Sequence, residues 1–143
     1  MKWQDCLESK IAKRTLKNTE TARSLYKTAV ERKNLIDSYG KNVERFAIEG
    51  CYEALVELIH ALLSINGFKS YSHECSIEFL GEFYSDVLEK SEIMFLQRLR
   101  MLRNLIKYEG KEIEASDASY WLEGGCRVFE KLKNILSSGL EQP

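Results

Sequence analysis

Helical spacing of apolar residues, uninterrupted by proline, constrains the fold of this chain more than any other feature. The only proline is the last residue, Pro143, so the interior of the sequence contains no helix breaker. Apolar residues recur three and four positions apart along nearly the whole chain, which is the period of an α-helix. Glu, Lys, Leu, Ala and Arg, which favour helix, are abundant. The chain is therefore predicted to be all-α, with no convincing strand.

Cap and stop residues divide the chain into helical segments. Helices are predicted over residues 3–17, from about 19 to 38, 42–65, 73–89 and 91–108, and from 117 onward. Hydrophobic residues make up 44% of the 143 residues, enough for the core of one domain. Four to six amphipathic helices with short loops predict an antiparallel up-and-down helical bundle of about five helices, forming a single domain over residues 1–143.

A Gly124-Gly125 pair inside the last predicted helix is unusual, because each glycine costs a helix about 1 kcal/mol relative to alanine. Close approach of another helix, from this chain or from a second subunit, would explain the pair. A break in the helix is the alternative.

Positive charge is local rather than global. The formal net charge is −1, so the whole molecule is not expected to be attracted to nucleic acid or to a membrane surface. Basic residues instead concentrate in residues 10–17 (KIAKRTLK) and 98–111. With this net charge, any site for an anion has to be local. Charge runs on helices are usually just solvated faces.

The four cysteines, Cys6, Cys51, Cys75 and Cys126, form no CxxC pair and lack metal-ligand spacing. They are predicted to be reduced and mostly buried thiols of a cytoplasmic protein. The first residues lack the apolar region of a signal peptide, and no apolar run approaches the roughly 20 residues of a membrane span. Gly-rich phosphate loops and nucleophile elbows are also absent, and neither a metal nor a cofactor is expected.

One predicted helix combines an apolar seam with a basic stripe. Phe95, Leu99, Leu102 and Ile106 form the seam, and Arg100, Arg103 and Lys107 form the stripe beside it. Arg103 is nearest to the seam and is expected to be partly buried. A buried arginine needs an anionic partner, either a carboxylate such as Glu57 or Glu53, or a phosphate from outside.

The two histidines have structural and functional interpretations. Glu57 and His60 have the spacing of one half of a di-iron site, but no second Glu-x-x-His exists, so His60 is predicted to be a surface or interface residue. His73 begins a predicted helix, where it would cap or pack against the N-terminus. A role as general base is the alternative, although the sequence pairs it with no nucleophile.

Three stretches resemble the archaeal-type HEPN domain, whose name stands for higher eukaryotes and prokaryotes nucleotide-binding. They read EGCYEALVELIHALLSINGFKSYSHECSIEFL, FLQRLRMLRNLIKYEGKEI and CRVFEKLKNIL. The resemblance covers residues 42–136 best, and residues 1–40 would be additional N-terminal helices. It implies a helical bundle, usually a homodimer. RNA cleavage is the family's best-known activity, often by a toxin accompanied by a nucleotidyltransferase-like antitoxin.

Nuclease members of that family carry an arginine, commonly followed by asparagine, with a histidine five to seven residues after the arginine. Two such motifs meet across the dimer and act without metal: the histidine helps to activate the ribose 2′-hydroxyl and the arginine steadies the phosphate. Arg103-Asn104 matches the arginine and asparagine, but the fifth residue after Arg103 is Tyr108. Tyrosine has an ordinary pKa of about 10 and is a poor general base at neutral pH. Gly110 occupies the position of a modifiable tyrosine found in members that have antitoxins.

The resemblance and the basic stripe lead to three hypotheses. The first is a dimeric, catalytically impaired domain that binds a nucleotide or RNA. Its ligand-binding residues are Arg100, Arg103, Asn104, Lys107 and Tyr108, supported by Glu53, Glu57 and His73. The second is an active ribonuclease in which Tyr108 or His73 replaces the missing histidine; Arg103, Asn104 and Tyr108 are the catalytic candidates. The third is an interaction module in which Arg103 pairs with Glu57 or Glu53 and the protein partners a nucleotidyltransferase-like protein.

Overall fold

The computed structural model describes residues 1–39 and 44–141. Within these ranges the chain forms six helices and one small antiparallel sheet, so the predicted all-α helical bundle is confirmed. In chain order the elements are α1 (Trp3–Glu8), β1 (Ala12–Arg14), α2 (Thr19–Tyr39), α3 (Glu44–Asn66), β2 (Phe68–Ser70), α4 (His73–Phe83), α5 (Lys90–Glu109) and α6 (Ala115–Glu141).

Helix α3 is the centre of the bundle. It packs most extensively against α2 and α6, and it also contacts α4 and α5. A helix enclosed on several sides has to be apolar around most of its circumference. The buried residues of α3 are Ala47, Ile48, Cys51, Tyr52, Ala54, Leu55, Val56, Leu58, Ile59, Ala61, Leu62 and Leu63. The polar residues of α3 therefore lie where neighbouring helices leave a gap, and the candidate site is in one such gap.

Most predicted helix ends are close to the observed ones. Gly67 and Gly110 have φ values of 79° and 67°, a left-handed conformation that glycine adopts without strain, and they follow α3 and α5. Helix α4 ends at Phe83, earlier than the predicted residue 89, since the residues after it form turns around Tyr84. Helix α5 begins at Lys90 behind a reciprocal cap formed by Glu89 and Glu92. The predicted boundary at residues 40–42 lies outside the described residues.

The N-terminal prediction was wrong. Helix α1 stops at Glu8 instead of continuing to residue 17, because Lys10 adopts a left-handed φ of 64° and turns the chain. Residues 12–14 then pair with residues 68–70, which were predicted as a loop, and Lys13 lies opposite Lys69. Burial of Ala12 and Phe68 joins this sheet to the core. The expectation of no strand therefore fails at two three-residue strands.

The glycine pair lies in an unbroken α6, so the predicted alternative of a helix break was wrong. A Cβ atom at position 124 would lie 2.6 Å from the ring of Phe95 on α5, and one at position 125 would lie 2.5 Å from Sγ of Cys51 on α3. Close approach by two helices of the same chain accounts for both glycines.

The expectation that all four cysteines are reduced was also wrong. Cys6 on α1 and Cys75 on α4 form a disulfide, because packing of α1 against α4 brings their Cα atoms to 6.0 Å. Cys51 and Cys126 are free thiols, and burial raises the pKa of Cys51 to about 12. In the described ranges, no helix is both long and apolar enough to cross a membrane.

Candidate functional site

The candidate site lies where α3, α4 and α5 meet. Its five side chains, called here the Arg103 cluster, are Tyr52, Glu53, His60, His73 and Arg103. The first three come from α3, and His73 is the first residue of α4. The Ser72 hydroxyl caps α4 by accepting a hydrogen bond from the Cys75 amide at 3.0 Å, which fixes the position of His73.

Arg103 is the buried cation of the cluster, with only 7% of its surface exposed. Its Nη2 donates to Oε1 of Glu53 at 2.5 Å, and its Nη1 donates to Oδ1 of Asn104 at 3.2 Å. Its Nε is buried and has no hydrogen-bond partner. An unpaired buried donor costs about 1–3 kcal/mol, more next to a charge, so this guanidinium has an unused capacity to bind an acceptor.

Tyr52 connects Arg103 to His73. The Arg103 guanidinium lies over the Tyr52 ring at 5.3 Å, and Oη of Tyr52 is 3.1 Å from Nδ1 of His73. Burial raises the pKa of Tyr52 far above its ordinary value, so the phenol stays protonated at neutral pH. The hydroxyl can donate to Nδ1 or accept from it, and the tautomer of His73 decides between these two arrangements.

His60 and His73 are close neighbours, with ring centroids 6.1 Å apart. Burial lowers the pKa of both imidazoles. The neighbouring His73 lowers the pKa of His60 further, and the positive charge of Arg103 lowers the pKa of His73 further. Both rings are therefore neutral at pH 7. The Ser76 hydroxyl donates to the Ser72 carbonyl at 3.0 Å, so the His60 Nε2–H is left to donate to Ser76 Oγ at 3.4 Å.

The structure places the predicted site residues in different environments. Glu53 pairs with Arg103, whereas Glu57 pairs with Arg32 of α2 at 2.7 Å. Arg100 lies beside the cluster and is 3.7 Å from the Glu74 carboxylate.

The predicted aromatic residue of the motif lies outside the Arg103 cluster. Tyr108 is 70% exposed, and Lys107 beside it is also exposed, with its Nζ 5.6 Å from the Tyr108 ring centroid. The structure therefore brings Glu53, His73, Arg103 and Asn104 together and leaves Lys107 and Tyr108 on the surface.

Sequence reasoning missed Tyr52 and the position of His60. Tyr52 directly precedes Glu53, so only knowledge of which helix faces α4 could have placed its hydroxyl on His73. His60, predicted to be a surface or interface residue, is half-buried beside Ser76. The spacing did place His60 on the same helix face as Glu53, seven residues and two turns further on, but it did not show that this face is covered by α4.

The described residues contain no group of three or more His, Cys, Asp or Glu side chains that could hold a metal ion. A scan against models of known protein families and a search of curated proteins both return no match.

Proposed function

We propose that the chain is a HEPN-like domain that binds a phosphate of a nucleotide or an RNA at the Arg103 cluster. The observation that carries the proposal is Arg103 itself, which is almost fully buried, has an unpaired Nε–H and has a single carboxylate partner. A guanidinium presents a planar fork that suits phosphate oxygens.

The surroundings of Arg103 are compatible with an incoming phosphate. The Glu53 side chain is 35% exposed, so it can turn toward solvent when a phosphate replaces it. Arg100 and Lys107 add positive charge on the same side of α5, and the Tyr52 ring holds the guanidinium plane. The neutral imidazoles add no negative charge.

Two further features of the family belong to the proposal. In a homodimer, two Arg103 clusters would share one strand of RNA, and a nucleotidyltransferase-like protein would be the partner that controls access. Light scattering tests the dimer by measuring the mass of the particle in solution. A homodimer has twice the mass of the chain. A monomer at concentrations that bind RNA would remove the dimer from the proposal.

Titration of labelled nucleotides and RNA against the wild type and Arg103→Ala tests the binding site. Arg98→Ala is the matched control, because Arg98 lies on the same helix but is exposed and has no place in the cluster. We expect at least a tenfold loss of affinity for Arg103→Ala and little change for Arg98→Ala.

Absence of binding by the folded wild type would reject the proposal. The Arg103–Glu53 ion pair would then be a structural element of an interaction module. Arg103→Lys, which keeps the charge and loses the fork, separates lost binding from lost folding.

A ribonuclease is the second candidate function, and the position of His73 favours it. With Nδ1–H donating to Tyr52, the Nε2 lone pair of the neutral ring is free to act as general base near Arg103. Incubation of RNA with excess protein and a chelator tests this activity. Cleavage that disappears in His73→Gln and persists in Tyr108→Phe would assign the base to His73, and intact RNA would exclude the activity.

A further inference from the structure

The small sheet carries a basic surface that the Arg103 cluster does not include. We call it the sheet surface; Lys13, Lys69 and Tyr71 form it, and Lys10, Arg14 and Lys17 are the other cations of the two segments that carry the sheet. Lys13 and Lys69 are paired directly across β1 and β2, and both are exposed. Like charges that face each other across two strands destabilise a sheet, so this pairing has a cost in the isolated molecule.

The cations around the sheet lie in two segments without acidic residues. Residues 10–18 and 67–73 contain five Lys or Arg and no Asp or Glu. Among the residues that the structure describes, none of the five forms an ion pair, although seven ion pairs occur elsewhere. Because the net charge of the chain is −1, this surface is positive on an otherwise acidic molecule.

An exposed aromatic ring lies among the cations. Tyr71 is 59% exposed, with Nζ of Lys13 and of Lys69 at 5.7 and 5.3 Å from its ring centroid. On the other side of the sheet, the Arg14 guanidinium lies 5.0 Å from the Phe68 ring centroid. Cations that contact phosphates beside a ring that stacks on a base are the usual components of a single-strand binding surface.

The sheet surface adjoins the Arg103 cluster. Strand β2 ends at Ser70, and Tyr71 and Ser72 lead directly to His73. The residues that line a cavity of about 380 Å³ include Thr15, Lys69 and Ser70 of the sheet region and His60 of the Arg103 cluster. A strand of nucleic acid lying on the sheet is therefore next to the cavity that His60 lines.

We infer that the sheet surface binds the phosphate backbone of a single-stranded RNA, with a base stacked on Tyr71. That the following phosphates of the same strand lie at the Arg103 cluster rests on the proposed function. Binding of RNA by the sheet surface does not. A strand several nucleotides long should then bind more tightly than a free nucleotide.

Fluorescence anisotropy with a labelled 12-nucleotide RNA and with a labelled mononucleotide tests this inference. The variants are Lys13→Gln/Lys69→Gln and Tyr71→Ala. Lys27→Gln/Lys90→Gln is the control, with the same change of charge at exposed lysines elsewhere. We expect the first variant to lose at least tenfold in affinity for the 12-mer and the control to lose less than twofold.

Salt dependence gives an independent readout. Each neutralised phosphate of a single strand contributes about −0.7 to the slope of log K against log salt concentration, so loss of two lysine contacts should reduce the slope by about 1.4. Tyr71→Ala should weaken binding and leave the slope unchanged. An unchanged affinity and slope in the double lysine variant would overturn the inference. Equal competition by polyglutamate would also overturn it, because the surface would then suit an acidic protein.

The outcomes separate the two proposals. Loss of mononucleotide binding in Arg103→Ala, with no effect of the sheet variants on binding of the 12-mer, would support the Arg103 site and overturn the sheet surface. Loss of 12-mer binding only in the sheet variants would support the sheet surface and reject the Arg103 site. Affinity of the double lysine variant for the mononucleotide should equal that of the wild type.

Discussion

At the scale of single residues, Glu53 and a bound phosphate compete for Arg103. Glu53→Gln removes the negative charge and keeps the size of the side chain, so the guanidinium loses its anionic partner. We expect tighter nucleotide binding, by about threefold to tenfold. Since Glu53 is partly exposed, we expect a loss of only about 1–2 kcal/mol in the free energy of unfolding. Nucleotide titration and urea unfolding measure the two effects.

Glu57→Gln is the matched control, because Glu57 lies one turn further along α3 and pairs with Arg32 instead. It should lower stability without a change in nucleotide affinity. If Glu53→Gln bound nucleotide no better than Glu57→Gln, the competition between carboxylate and phosphate would be disproved.

The neutral histidines make stability depend on pH. Burial lowers the pKa of His60 and of His73 below the ordinary value of 6.5, so the unfolded chain takes up protons at a higher pH than the folded one. Their contribution to stability is therefore complete above pH 6.5 and is lost as the pH falls from there through the folded pKa values. Urea unfolding at pH 7.5 and 5.5 should show lower stability at the acidic pH.

The double variant His60→Gln/His73→Gln removes both titrating rings. Its stability should differ less between the two pH values than that of the wild type. A pH dependence as steep as that of the wild type would assign the effect to other groups, such as the carboxylates.

At the scale of secondary-structure elements, close packing of α6 requires its paired glycines. Alanine would favour the helix by about 1 kcal/mol, but its Cβ at position 125 would overlap Sγ of buried Cys51. We expect Gly125→Ala to destabilise the fold by about 1–3 kcal/mol, measured by urea unfolding. Gly124→Ala should cost less, because the partly exposed Phe95 ring can move outward.

Two variants control for the helix effect. Gly139→Ala lies in the same helix, where a new Cβ would be 3.4 Å from the Ile65 side chain, and it should be neutral or stabilising. Cys51→Ala removes the overlapping sulfur and should recover part of the loss in the Gly125→Ala background. A loss that is the same with and without the sulfur would contradict steric overlap as the cause.

The accuracy of the sequence prediction also varied between elements. The long helices were predicted to within a few residues at most ends, because the apolar period and stops such as Gly67 and Gly110 are local signals. Strands β1 and β2 are three residues each and form only by pairing with each other. A three-residue strand has no period that a sequence can display, so the basic residues beside it were taken for a helix.

The same limit applies to the candidate site. Burial of Arg103 followed from its position next to the apolar seam, and Glu53 was one of two carboxylates proposed for it. Contact between Tyr52 and His73 depends on how α4 packs on α3. The spacing of residues within either helix does not predict that packing.

At the scale of the whole molecule, the Cys6–Cys75 disulfide ties the N-terminal helix to α4 across 69 residues of chain. A crosslink restricts the unfolded chain, and a loop of this length is worth about 4 kcal/mol in the loop-entropy model. We expect reduction with a phosphine to lower the free energy of unfolding by about that amount. Because α4 begins with His73, the reduced protein should also bind RNA more weakly if the Arg103 cluster is the site.

Thiol counting and a matched variant test the contribution of the disulfide. In denaturant without reductant, two thiols should react, those of Cys51 and Cys126, and after reduction all four cysteines should react. Cys6→Ala/Cys75→Ala should have a stability that does not respond to reductant. Four reactive thiols before reduction would show that the crosslink is absent from the protein as isolated. Equal stability of the oxidised and reduced forms would show that packing of α1 on α4, and not the covalent bond, holds the N-terminus in place.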